Sequence, residues 1–293
     1  MPELPEVETV RLGLQSAMQG ARFTKVEAHR GDLRWPLQKD FVERIEGQAV
    51  ERLRRRAKYL LLDLASGDVL LMHLGMSGSF RVVKERGETI PGGYYRARGK
   101  PSLHDHVIFH MSSGAVVSFN DPRRFGMMKL VPGDELADEP LLRSLGPEPL
   151  SEEFDAAMLA RLLRDRKTSL KAALSDQRVV AGLGNIYVCE ALHRARLSPR
   201  RRASTVASRP GVPNLRARSL VEAIKSVLRD AIRAGGSSLR DHRRTDGALG
   251  DFQHNFRVYD RAGLPCPRKG CTGIVKRIVQ GGRSTFFCPV CQK

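Results

Sequence analysis

Four of the five cysteines fall in the last thirty residues as Cys266-x4-Cys271-x16-Cys288-x2-Cys291, and the fifth, Cys189, stands alone. Two close pairs separated by a short segment prescribe two turns brought together by a hairpin. Zinc accepts such a set as four tetrahedral thiolates. Two disulfides would need an oxidising compartment. The opening MPELPEVETV has neither the basic nor the apolar part of a secretion signal, which points to the reducing cytoplasm. Four thiolates leave no open coordination position, so the one ion is structural. A ribbon this short has almost no core of its own, and the metal largely folds it. The intervening VKRIVQGGRSTFF presents Lys276, Arg277 and Arg283.

The 293 residues are long enough for two domains and a small appendage. Fifty Lys and Arg stand against 32 Asp and Glu, a net charge of +18. A surplus of that size points to a polyanion, nucleic acid before an anionic membrane. No apolar run is long enough to span a bilayer.

Periodicity gives the fold class. Val7, Val10, Leu14 and Met18 share a face, predicting a helix from Pro5 to about Gln19 that Gly20 stops. Short strand-like runs follow at 59–64, 68–74, 78–83, 105–111 and 115–120, separated by turn signals, as in a two-layer antiparallel sandwich. The Gly- and Pro-rich loop 84–104 is expected to be mobile. Residues 134–155 hold eight acids and one base, read as an acidic linker. Helical patterns then occupy 152–164, 168–175, 185–195 and 217–234, with a basic, Pro-interrupted loop at 200–218. The expected class is α+β. It comprises an N-terminal domain (1–133), the linker (134–155), a helical domain (156–260) and a zinc finger (261–293).

Four further segments carry possible chemistry. In AGLGNIY (181–187), two glycines and Asn185 before a helix suit a phosphate, or serve only as a packing turn. In NDPRRFG (120–126), paired arginines beside Phe125 suit phosphates and a wedge into stacked bases. A plain turn with a core Phe explains them equally. Lys58 in RRRAKYL starts a strand and is either an exposed cation or a proton-transfer group. Removing Met1 would leave Pro2 as a terminal secondary amine. An α-amine has a pKa of about 7.7–8.0 against about 10.4 for lysine, so far more of it is neutral and nucleophilic at pH 7. Pro5 and Glu6 are also what an ordinary helix start requires.

Taken in order, PELPEVET, RRAKYLLLDL, HLGMSG, HDHV, NDPRRFG, LGPEPL, GLGNIYV, GGSSLRD and STFFCPVCQK resemble the formamidopyrimidine-DNA glycosylase family along essentially the whole chain. The resemblance implies a β-sandwich with a flanking helix, a helical domain with a helix–two-turn–helix motif, and a zinc finger, with DNA crossing a cleft. It implies a bifunctional DNA glycosylase and AP lyase of base excision repair, acting as a monomer on double-stranded DNA with oxidised bases. The lesions would be oxidised purines, 8-oxoguanine and formamidopyrimidines. Pro2 would form the Schiff base at C1′ and Glu3 would move protons at the opening sugar. Lys58 would serve β-elimination and Arg283 δ-elimination. Met76, Arg123 and Phe125 would fill the gap left by the flipped base, and His73, His104, Arg166 and Asn185 would contact DNA. Residues 240–253 would fold over the flipped base, with Arg240 where the family commonly has lysine. The x4 spacing of the first cysteine pair departs from the family's usual x2, and the loop 200–218 exceeds its usual length. Two other readings stand beside this one. The first is an endonuclease VIII-type glycosylase for oxidised pyrimidines, against which the opening ELPEVET argues. The second is a non-catalytic zinc-ribbon DNA-binding protein, which leaves Pro2, Glu3 and Lys58 unexplained.

Overall fold

The computed structural model describes residues 2–84, 87–91, 103–208, 212–237 and 252–293. The chain forms two compact units, Met1–Arg143 with Ala234–Asp251, and Ser144–Arg233 with Phe252–Lys293. The loop expected over residues 240–253 lies almost wholly outside the described residues, as does most of 84–104.

The first unit opens with helix α1 (Leu4–Met18), capped by Glu3 and with Pro5 in its first turn, where a missing N–H costs nothing. Its face of Val7, Val10, Leu14 and Met18 is buried as the periodicity predicts. Strand β1 (Phe23–Ala28), helix α2 (Phe41–Ile45) and strands β2 (Val50–Arg56), β3 (Tyr59–Leu64), β4 (Asp68–His73), β5 (Ser79–Lys84), β6 (Gly87–Thr89), β7 (Asp105–Met111), β8 (Val116–Asn120) and β9 (Met127–Pro132) follow. They make a four-stranded antiparallel sheet, β2-β3-β4-β9, and a five-stranded one, β1-β7-β8-β5-β6. One apolar core joins Leu60, Leu62, Leu70 and Met72 of the first to Phe80, Phe109, Val117 and Phe119 of the second, with Val10 and Leu14 of α1. The run YLLLDL is apolar on both faces because both are covered. Leu61, Val69, Leu71 and Val131 meet Leu136, Leu141 and Leu142, the last two in helix α3 (Pro140–Arg143). The start of the acidic segment therefore packs on the sheet, where Lys129 Nζ also reaches Glu139 Oε2 at 2.8 Å.

The second unit holds α4 (Ala156–Leu163), α5 (Leu170–Ser175), α6 (Asn185–Arg194), the short strands β10 (Ala207–Ser208) and β11 (Val212–Pro213), α7 (Leu215–Arg233), and the hairpin β12 (Lys276–Gln280) and β13 (Arg283–Phe287). Asp155 and Ser169 cap α4 and α5 by accepting from Met158 N and Ala172 N. Helix α6 is buried from Ile186 to His193, as expected of a helix surrounded by others. Its Glu190 carboxylate accepts from the backbone N–H groups of Arg257, Val258 and Tyr259 at 2.9–3.1 Å, pinning the segment that leads into the ribbon. The ribbon itself adds only Val275 and Phe286 to a small cluster with Cys189 and Val258.

The four ribbon sulfurs lie within 4.8 Å of one another. Cys266 and Cys291 are 3.8 Å apart, Cys271 and Cys288 3.6 Å. Four thiolates around one zinc at about 2.3 Å stand about 3.8 Å apart, so the donor set and its spacing fit a tetrahedral ion. The turn closes only because residue 273 is glycine: a Cβ there would lie 2.5 Å from Cys288 Sγ. His193 Nε2 sits 3.3 Å from Cys266 Sγ, placed to donate to a thiolate. Burial first, then the neighbouring Arg268, push the His193 pKa down. Chelating the metal should expose the amides of residues 263–293 to hydrogen exchange and leave the sandwich protected. Protection of the ribbon unchanged in excess chelator would refute a metal-held fold.

Candidate active site

The site in the first unit grows from the start of α1. Pro2 and Glu3 are both buried, Glu3 at 3% exposure, although each precedes a helix that other residues anchor. Glu3 N donates to Glu6 Oε2 at 2.9 Å, the return half of a capping box. The other oxygen of Glu6 accepts from Ser237 N at 2.8 Å and Ser237 Oγ at 3.0 Å. The backbone at Gly236 (φ +83) passes so close that a Cβ there would stand 3.2 Å from this carboxylate. One buried acid thus holds the N-terminus and a segment 231 residues away. The positive end of the α1 dipole lies beside Pro2 and Glu3.

Lys58 lies in the tight turn between β2 and β3, after Ala57 at φ +53. Its exposure of 6% excludes the reading of an ordinary surface lysine. Glu8 on α1 binds Arg55 Nε at 3.0 Å, and Arg55 Nη1 donates to Ala57 O at 3.0 Å, so the turn is tied to the helix that begins beside Pro2. Across the sheet, Tyr59 pairs with His73 and their ring centroids are 4.9 Å apart. Burial first, then the charges of Lys58 and Arg34, push the His73 pKa down to about 4. His73 Nδ1 accepts from Gly75 N at 2.9 Å, which leaves its proton on Nε2.

Two loops then meet backbone to backbone. Gly75 (φ +61) has no room for a Cβ, which would sit 2.3 Å from Phe125 C. Asp121, fully buried, receives Ser77 Oγ on one oxygen and Gly126 N at 2.7 Å on the other. Arg123 N reaches Ser77 Oγ at 3.3 Å, and Asp121 N donates to His104 O at 3.0 Å. The Phe119 ring fills the space a Cβ at Gly78 or Gly126 would need. Out of this rigid base stand Met76, 40% exposed, and Phe125, 42% exposed, with the Arg123 guanidinium 4.6 Å above the Phe125 ring. Phe125 is not the core residue that the plain-turn reading allowed. His104 lies half-buried beside the same loops.

The remaining residues lie in the second unit. Arg166 Nη1 pairs with Asp176 Oδ2 at 3.0 Å, and its Nε bonds Leu162 O. Asp176 also holds Arg178, which chiefly lowers its pKa to about 2. Gly184 caps α6, and Asn185 Nδ2 donates to Ser284 O at 2.9 Å, linking the helix start to the zinc hairpin. Arg283 opens β13 and is exposed. Asp121, Ser77, Glu6 and Phe119 did not stand out in the sequence. The Glu3–Glu6 spacing and the Asp-Pro pair were their only signals, and both also mark ordinary helix starts and turns.

Models described as the formamidopyrimidine-DNA glycosylase N-terminal domain, the formamidopyrimidine-DNA glycosylase H2TH domain, and a zinc finger found in FPG and IleRS match residues 1–128, 145–243 and 263–293. Formamidopyrimidine-DNA glycosylases of Bradyrhizobium sp. (strain ORS 278) and Nitrobacter winogradskyi are each 68% identical to this chain over 293 and 292 residues, 100% of both chains. A MutM (Fpg) crystal structure from Thermus thermophilus matches with a TM-score of 0.80 at 40% identity, covering 99% of this chain and 98% of its own. Lactococcus lactis Fpg in complex with abasic-site DNA matches with a TM-score of 0.82 at 31% identity, over 99% of both chains. Its three matched domains and its full-length relatives place the chain in the formamidopyrimidine-DNA glycosylase family.

Proposed function

We propose that this chain is a bifunctional DNA glycosylase and AP lyase that removes oxidised purines from duplex DNA, with Pro2 as its nucleophile. The buried Pro2–Glu3 pair at the start of α1 carries the proposal. Pro2 is enclosed there next to the Glu3 carboxylate at the positive end of a helix. The protein acts as a monomer in the cytoplasm at the nucleoid, and no helix among the described residues is long and apolar enough to cross a membrane.

The chemistry follows from these residues. A base in a duplex must leave the stack before its sugar can be attacked, at a cost of a few kcal/mol. Met76 and Phe125 fill the vacated space and Arg123 faces the orphaned partner base, offsetting that cost. The neutral amine of Pro2 bonds to C1′ as the glycosidic bond breaks, and Glu3 shuttles the proton at the opening sugar. The resulting iminium acidifies the C2′–H; that proton passes to water, the C3′–O bond breaks in β-elimination, and Lys58 donates a proton to the departing 3′ phosphate. Arg283 assists the second, δ-elimination. His73, His104, Arg166 and Asn185 hold the backbone in register, a positioning role that carries no base information. The zinc holds the hairpin that bears Arg283.

Three outcomes are expected. A protein with any residue ahead of Pro2 has an amide in place of the amine. It should bind lesion DNA and yield no covalent adduct on borohydride reduction, and an adduct equal to that of the processed form would clear Pro2 of the role. Glu3→Gln should slow base release far more than strand cleavage at a pre-formed abasic site. Secondly, Phe125→Ala and Met76→Ala should each slow excision from duplex about tenfold, close to 1.4 kcal/mol, and excision from single strands much less. Equal losses on both substrates would assign these side chains to packing. Lastly, His73 with a pKa near 4 meets DNA as a neutral donor throughout the neutral range. An ordinary histidine would gain charge, and so affinity, as pH falls through about 6.5. The affinity difference between wild type and His73→Ala should therefore stay constant from about pH 7.5 to 5.5, and a difference that widens on acidification would show the ring titrating.

A further inference from the structure

From Ala195 to Val221 the chain carries seven arginines and no Asp or Glu. Six of them are described: Arg196, Arg200, Arg202, Arg216 and Arg218 are exposed or half-buried, and Arg201 is half-buried. Other arginines of the same unit are paired locally. Arg166 and Arg178 share Asp176, and Arg194 and Arg233 share Asp230. None of the six pairs with an Asp or Glu among the described residues, and Arg201 Nε donates to the carboxylate of the terminal Lys293 at 3.0 Å. Arg201 and Arg216 lie close enough that the second charge adds to burial in lowering the pKa of the first.

The described parts of the segment are held by the rest of the unit. Ala203 and Val206 are fully buried. Leu170 N donates to Arg201 O at 2.6 Å, and Ala203 N to Thr168 O at 2.9 Å. Asn214 Oδ1 accepts from Arg216 N and Ala217 N at the start of α7, and its Nδ2 donates to Thr205 O at 3.0 Å. Strands β10 and β11 pair through Ala207–Pro213 and Ser208–Val212. Fixing together like charges that outnumber their counter-charge costs free energy in the free protein, and a polyanion offsets that cost.

The place of the segment indicates which polyanion. Ser204 N donates to Arg166 O at 3.2 Å, so the ribbon adjoins the proposed Arg166 contact. Gln280 Nε2, at the turn that carries Arg283, reaches Pro199 O at 3.4 Å, and the Arg200 guanidinium lies 5.7 Å from the Phe287 ring of β13. We propose that this arginine ribbon is an additional phosphate-binding surface that takes the backbone of duplex DNA flanking the lesion, beyond the Arg166 contact. It rests on the DNA-processing function proposed above and extends the footprint of that site.

The test compares zinc-loaded wild type with the combined variant Arg200→Ala, Arg202→Ala, Arg216→Ala, and with the same three positions as Lys. Each binds duplexes of about one and about three helical turns, lesion-bearing or undamaged, over a range of salt. Every phosphate that the protein no longer neutralises lowers the slope of log K against log salt by about 0.9. The Ala variant should lose about two to three units of slope on the longer duplex and none on the shorter, and the Lys variant should keep the wild-type slope. Single-turnover excision from the short duplex at saturating protein should be unchanged. An Ala-variant slope equal to wild type on the long duplex overturns the proposal. An equal loss on both lengths overturns the flanking placement, and a Lys variant as weak as the Ala variant assigns the effect to folding and overturns it too. The slopes on undamaged DNA remain readable if wild type excises nothing, in which case the catalytic proposal fails separately.

Discussion

The Asp121 carboxylate is the group on which the geometry of the first unit's site depends. It is fully buried, and its two oxygens serve two different loops, Ser77 from one and Gly126 N from the other. A buried acceptor left unpaired costs about 1–3 kcal/mol, more for a charged group, so both loops are held to one arrangement. Within it Gly75 and Phe125 touch through their backbones, and Phe119 supports Gly78 and Gly126 from the core. The consequence is mechanical. Met76 and Phe125 stand partly in solvent on loops held by these bonds and backbone contacts. Exposed apolar side chains on a rigid mount are what a wedge into stacked bases needs.

The second unit meets a different constraint, because its ribbon is too small to bury a core. Two polar devices replace one. The Glu190 carboxylate collects the backbone N–H groups of residues 257–259, and four sulfurs gather within the span of a single ion. Burial raises the pKa of Glu190, while the backbone N–H groups of Tyr259, Val258 and Arg257 act to lower it. Both devices converge on α6, through Glu190 and through His193 beside Cys266. Asn185 begins the same helix and reaches the hairpin by its side chain. One buried helix thus orients the metal ribbon, and with it Arg283.

The net charge of +18 acquires meaning only when its distribution is seen. Many cations are neutralised internally: Arg55 by Glu8, Arg54 by Asp63 and Arg194 by Asp230. Surface ion pairs of this kind add little to stability, but they remove charge from what a ligand meets. Among the described residues, Arg196, Arg200, Arg202, Arg216 and Arg218 are exposed and form no ion pair with an Asp or Glu. His73, kept neutral by burial and by Lys58 and Arg34, shows the reverse arrangement, a donor supplied without a charge.

Sequence alone determined what depends on local period and ligand chemistry. The face of α1, the alternating strands and the turn glycines follow from side-chain spacing, and the zinc site from four thiols whose geometry the metal itself imposes. Pro2, Glu3, Lys58, Arg123 and Phe125 were legible as candidates. Lys58, Arg123 and Phe125 each had an ordinary explanation of equal weight in the residues alone, while an ordinary helix start accounted for Pro5 and Glu6 and was neutral about Pro2 and Glu3. Burial bears on these alternatives, because it depends on which distant segments arrive. Lys58 is enclosed where an exposed cation was one of two readings, and Phe125 is exposed where a core residue was allowed. The Asp121 hub, the Glu6 tie to Ser237 and the neutrality of His73 were invisible beforehand for the same reason. Each is a contact between segments far apart in the chain, and only the closed tertiary structure fixes such distances and removes the water that would otherwise weaken them.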